Sequence, residues 1–227
     1  LLYHGGDGDK TAFNFREKAP MAATRDMFLG PDGKIKDNSN HEGLLSVGVP
    51  GTVAGLYKAH QKMGSLAWAD LLQPAIELAE NGFESTYRMN GFLNWIKEHK
   101  DEDLYAATAE AFLKNGEDIY KPGENFKQPD LAKTLKRIQK NGADGFYKGK
   151  TAKLMADFMK EHGGLITEED LAKYEAKEVK PITGTYRGYE IIAMPPPSSG
   201  GVAVIEMLNI LELDTLLTPG RRNARPM

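Results

Sequence analysis

The chain has 227 residues, room for one large domain or two small ones at roughly 150 residues per domain. Lysine plus arginine total 29 and aspartate plus glutamate 32, and a formal net charge of -3 argues against the clustered basic surface of a nucleic-acid binder. The composition is 41% hydrophobic and 27% charged, no run approaches the ~20 apolar residues of a bilayer-spanning helix, and cysteine is absent. Membrane spans, thiol nucleophiles, disulfides and iron–sulfur clusters are thereby excluded from the expectations.

The chain opens at Leu1-Leu2-Tyr3-His4, without an initiator Met or a charged-then-apolar signal segment. Residues 1–4 and 11–17 read as the arms of a β-hairpin around Gly5-Gly6-Asp7-Gly8-Asp9-Lys10. That turn lacks the lysine–hydroxyl ending of a phosphate-binding loop and the terminal glutamate of a calcium loop. Residues 30–43 are polar and rich in turn formers, so a surface loop is expected there.

Helices dominate the middle. From Thr52, the residues Val53, Leu56, Tyr57, His60 and Met63 share one face. Next, Trp68, Leu71, Leu72, Ala75, Ile76 and Ala79 follow helical spacing through Pro74, which predicts a kink, with a stop at Asn81-Gly82. Shorter amphipathic stretches cover residues 90–100 and 104–113, and apolar stripes mark further helices at Leu131-Leu135-Ile138 and Met155-Phe158-Met159. Thr167-Glu168-Glu169-Asp170 is a capping box with Asp as its acid. The period then changes: residues 182–194 predict two short strands around a turn, followed by Pro195-Pro196-Pro197. Residues 201–211 are apolar almost all round, which predicts a helix buried against a sheet or another subunit. The basic, proline-bearing end at residues 221–227 predicts a disordered tail, and both ends read as cut. A mixed α/β layered fold, helix-rich with short strands near both ends, is the expected class.

Self-sufficient catalytic constellations are missing. There is no H-E-x-x-H, no G-x-S-x-G and no serine followed three residues later by lysine. The five histidines form no i, i+4 pair, His41-Glu42 lies in a polar loop, and no metal site or cofactor is expected. The stripe Lys133, Lys136, Arg137 and Lys140 reads as a solvated helix face. Two local sequences stand out. Phe15-Arg16-Glu17-Lys18-Ala19-Pro20 puts an arginine where a strand runs out into a loop. Pro195–Gly201 puts a rigid extended step, two hydroxyls and two glycines before the last helix. Ser198 or Ser199 can cap that helix, and its amides can alternatively meet an anion.

These residues carry a resemblance. Phe15-Arg16-Glu17-x-Ala19-Pro20, Ala23-Thr24-Arg25-Asp26-Met27-Phe28, Gly48-x-Pro50-Gly51-Thr52-Val53-Ala54-Gly55 and Gln73-Pro74-Ala75-x-x-Leu78-Ala79 are similar to the γ-glutamyltranspeptidase (glutathione hydrolase) family. So are Phe146-Tyr147-Lys148-Gly149, Gly163-Gly164-Leu165-Ile166-Thr167, Tyr186-Arg187-Gly188-Tyr189 and Pro195–Gly201. The motifs run in the family's order across residues 1–212, and residues 213–227 are left unmatched as a tail.

The resemblance implies part of an αββα N-terminal-nucleophile hydrolase sandwich, from the large subunit of a self-cleaving precursor. It implies that the threonine nucleophile and oxyanion hole belong to the small subunit, the expected partner, so this chain alone is expected to be inactive. The implied substrates are glutathione and other γ-glutamyl compounds, with the glutamyl group passed to water or an amino acid. The implied location is periplasmic or secreted. Arg16 corresponds to the arginine that grips the α-carboxylate of the γ-glutamyl group. A related acylase or amidohydrolase, and an inactive truncated scaffold or binding module, stand as alternatives.

Overall fold

A computed structural model describes residues 1–102 and 104–213. The elements in chain order are β1 (Leu2–His4), β2 (Lys10–Asn14), a 3-10 turn at Leu44–Ser46, α1 (Thr52–Met63), α2 (Trp68–Asn81), β3 (Phe83–Glu84), α3 (Tyr87–His99) and α4 (Ala106–Phe112). They continue with β4 (Asn125–Phe126), α5 (Pro129–Asn141), α6 (Asp144–Tyr147), α7 (Gly149–Glu161), α8 (Glu168–Ala172), β5 (Lys177–Val179), β6 (Ile182–Tyr186), β7 (Tyr189–Ala193) and α9 (Ser199–Leu213). The chain divides into two compact units: Leu1–Arg16 with the chain from Glu175 onward, and Glu17–Tyr174.

In the first unit, β1 and β2 form the expected hairpin, in register Leu2↔Ala12 to His4↔Lys10. β2 is the central strand of three, because β5 pairs on its other edge from Ala12↔Val179 to Asn14↔Lys177. Ala12 and Phe13 are fully buried, which suits the middle strand. β6 and β7 form a separate hairpin through Arg187-Gly188, both at positive φ (48° and 81°), the two-residue reversal whose twist matches the flanking strands. α9 packs on β6 and β7, and Glu212 accepts a hydrogen bond from the Arg187 N–H at 2.6 Å.

The second unit is helical, with two apolar clusters. One joins Val49, Tyr147, Ala152, Met159, Ile166 and Leu171; the other joins Leu93, Ile96, Ala109 and Leu113. α2 lies along α5, where the Trp68 indole donates to the Ile138 carbonyl at 3.0 Å and Lys136 pairs with Glu80 at 2.6 Å. α5, α6 and α7 are tied by polar bonds: Arg137 Nε donates to Thr151 Oγ1, which donates to the Gly145 carbonyl at 2.7 Å.

α2 continues past Pro74 as one helix from Trp68 to Asn81, as its unbroken apolar phase predicts. Other expectations need correction. On α1 the buried residues are Gly55 and Ala59, while Leu56 is exposed, because the face with small side chains allows the closest approach. On α5 Ala132 and Ile138 are buried while Leu131 stays 48% exposed. α9 packs on its hairpin without burying any of its residues, and Met207 (55%) and Ile210 (62%) remain open among the described residues. Of the tail expected at residues 213–227, Leu213 is the last residue of α9, and residues 214–227, including the basic end at 221–227, lie outside the described residues.

Candidate functional site

Arg16 is exposed and stands just past the end of β2, whose last paired residue is Asn14. Asn14 Oδ1 accepts the Arg16 N–H at 3.1 Å, an Asx-type bond that closes the step out of the strand. Phe15, between them, is half-buried.

The segment after Arg16 is held in the helical unit. Lys18 exchanges both backbone hydrogen bonds with Val49, at 3.2 Å from the Lys18 N–H and 2.7 Å from the Val49 N–H. Glu17 crosses Gly48 so closely that a β-carbon there would lie 3.0 Å from the Glu17 side chain, so any larger residue at the first glycine of Gly48-x-Pro50-Gly51 would have to push Glu17 aside. Lys18 Nζ sits 4.8 Å over the Tyr174 ring, which stacks on Tyr147 at 5.6 Å. The buried Tyr147 hydroxyl donates to the Pro50 carbonyl at 2.8 Å and accepts from the Ala54 N–H at 3.3 Å. Burial pushes its pKa up to about 12. Burial also raises that of Tyr174, and the Glu17 charge adds to it.

Farther along, Met21 N–H donates to Asp170 Oδ1 at 2.7 Å. Asp170 Oδ2 accepts from the Thr167 N–H at 2.9 Å and the Thr167 hydroxyl at 2.6 Å, so the predicted capping box is complete and doubles as a tether. Burial works to raise the Asp170 carboxyl, but these donors and Lys173 together hold it below the usual range.

At the second singled-out sequence, the Pro196–Pro197 peptide is cis and Ser199 is the first residue of α9. Ser198 N–H donates to the Pro195 carbonyl at 3.2 Å. Gly201 lets the helix start against Met194, since a β-carbon would meet its carbonyl at 2.5 Å. Arg16 and this step belong to the same unit. Among the described residues, no group of three or more His, Asp and Glu is gathered as metal ligands, and His41 lies in its exposed loop. Sequence reasoning missed the acceptor role of Asn14 and the long reach of Tyr147 and Asp170. The Asn14-x-Arg16 spacing hints at the first, because Asn commonly bonds the N–H two residues on.

An arginine at a strand exit, followed by a segment pinned to a G-x-P-G-T helix start, is the arrangement on which the comparisons bear. The sequence model described as gamma-glutamyltranspeptidase matches residues 1–224. This chain belongs to the γ-glutamyltranspeptidase family. It is 44% identical over 206 residues to a glutathione hydrolase proenzyme of Pseudomonas sp. (strain A14), covering 91% of this chain and 36% of that protein. It is 39% identical over 212 residues to the acylase ACY 1 proenzyme of Pseudomonas sp. (strain SE83), covering 91% of this chain and 38% of that protein. The crystal structure of Helicobacter pylori gamma-glutamyltranspeptidase superimposes with a TM-score of 0.91 at 43% identity, covering 98% of this chain and 64% of that one. The family's fold is therefore the fold of this α/β chain, helix-rich with short strands. The chain spans about a third of the length of the curated relatives it matches, 36% for the first. The two Pseudomonas relatives are named proenzymes, and among the described residues no helix is long and apolar enough to cross a membrane.

Proposed function

We propose that this chain is the substrate-gripping and scaffold part of a γ-glutamyltransferase or glutathione hydrolase. The observation that carries the reading is the place of Arg16: exposed, at a strand exit, with its backbone tied to Asn14, inside the segment that resembles the family's carboxylate-binding motif. A guanidinium offers a planar fork that holds a carboxylate through two parallel hydrogen bonds. Arg16 would hold the α-carboxylate of the donor's γ-glutamyl group. A threonine of the partner small subunit would attack the γ-glutamyl carbonyl, the amine would leave with a proton, and water or an amino acid would take the glutamyl group from the ester. The small subunit of the same precursor is the proposed partner, glutathione and other γ-glutamyl compounds the substrates, and the periplasm or the exterior the location.

A second reading is a related acylase acting on another amide, favoured by the 39% identity to acylase ACY 1. One measurement separates the two: kcat/KM of the full-length, matured Arg16→Lys protein on a γ-glutamyl anilide. Loss of the fork should cost about 2–5 kcal/mol in kcat/KM while self-cleavage survives, because cleavage uses no free glutamyl carboxylate. A change within about threefold, below roughly 1 kcal/mol, returns Arg16 to a surface role and favours the acylase.

A further inference from the structure

A bidentate grip works only when the arginine's Cα and the exit direction of its side chain are set in advance, because a misplaced fork makes one bond instead of two. In this chain the strand ladder ends at Asn14↔Lys177, two residues short of Arg16. A local bond spans that gap: the Asn14 side-chain oxygen accepts the Arg16 N–H at 3.1 Å. Asn14 itself is well placed to transmit position. Its backbone is paired with β5, its side chain is half-buried, and it follows the fully buried Ala12 and Phe13.

We infer that Asn14 is a positioning residue for the γ-glutamyl carboxylate: its amide oxygen fixes the backbone of Arg16 and so the direction of the guanidinium. The inference rests on the proposed role of Arg16. An Asx-type closure needs a side chain of one particular length. Aspartate reproduces the acceptor at the same reach, whereas glutamine keeps the amide but adds a methylene and overshoots the N–H two residues on. Polarity is thereby separated from geometry.

The test uses the full-length, matured protein, a γ-glutamyl anilide donor, and separate kcat, KM and melting measurements. Asn14→Gln and Asn14→Ala should raise KM about threefold to tenfold, the range of one net hydrogen bond, with kcat, self-cleavage and melting nearly unchanged. Asn14→Asp should stay within about twofold of wild type in KM. In an Arg16→Lys background, Asn14→Gln should add nothing, since the fork it aims is gone. The inference is overturned if Asn14→Gln leaves KM unchanged, if kcat and melting fall with it, if Asn14→Asp does not rescue, or if its effect persists in full beside Arg16→Lys. Arg16→Lys alone tests the underlying reading: an unchanged kcat/KM there removes the grip itself, whatever Asn14 does. Should Asn14→Ala fail to mature, the Gln and Asp pair carries the same measurement.

Discussion

Tyr147 reaches across 97 residues of sequence to donate its hydroxyl hydrogen to the Pro50 carbonyl at 2.8 Å. The same oxygen accepts the Ala54 N–H at 3.3 Å, one of the amides in the first turn of α1. No side chain caps α1, whose N-cap is Gly51, so the tyrosine does from outside what a serine or aspartate usually does from within.

Tyr147→Phe should therefore remove a cap and leave a carbonyl and an amide short of partners, at a cost of about 1–3 kcal/mol in urea unfolding. The alkaline limb adds a signature. The folded pKa of about 12 exceeds the ordinary 10.0, so the unfolded chain loses this proton first and stability falls as pH rises from about 10 to about 12. Tyr147→Phe should flatten part of that fall. An unchanged alkaline slope would sink the assignment.

Asp170 predicts the opposite limb. Its carboxyl is held below the usual value, so the stability it contributes is present above pH ~4 and is lost as pH falls through the lowered folded value. Asp170→Asn should cost about 1–3 kcal/mol at neutral pH and weaken the acid-side slope. Thr167→Ala should cost about 1 kcal/mol, since Met21 keeps its bond to Asp170. Equal costs for the two would mean that the Met21 tether contributes nothing.

Two glycines make a matched pair. A β-carbon at Gly145 would overlap the Arg137 carbonyl where α6 meets α5, whereas one at Gly91, inside α3, meets nothing within 4 Å. Gly145→Ala should destabilise by more than about 2 kcal/mol, and Gly91→Ala should stabilise by about 0.5–1 kcal/mol. Thermal melting of both variants is sufficient. A stabilised Gly145→Ala would contradict the α5–α6 packing.

The outer stripe of α9 carries Val204, Met207 and Leu211, all exposed. The 227-residue chain made alone should bind a hydrophobic dye, and Met207→Lys should reduce that binding without lowering the melting temperature. If dye binding is absent, or is unchanged in the variant, the open stripe is not the surface responsible.

By itself the amino-acid pattern determined whatever depends on neighbours in sequence. The glycine-rich reversal at 5–10, the Thr167–Asp170 capping box, the stop at Asn81-Gly82 and the two-strand hairpin within 182–194 all rest on local backbone preferences, and each is where the pattern put it. The ordered motifs likewise pointed to the family. Tertiary structure alone decided the rest. β5, three residues reading Lys177-Glu178-Val179, has no strand signature of its own and exists because β2 offers an open edge. β3 and β4 are two residues each, paired from Phe83↔Phe126 across the helices between them. Which face of α1 is buried, that Asn14 closes the step before Arg16, that Tyr147 caps α1 and that Asp170 tethers Met21 follow from partners tens of residues away or from a turn only the folded backbone closes. Local periodicity records which side chains avoid water. It carries no term for the surface they will meet, and that surface is made only when the distant segments come together.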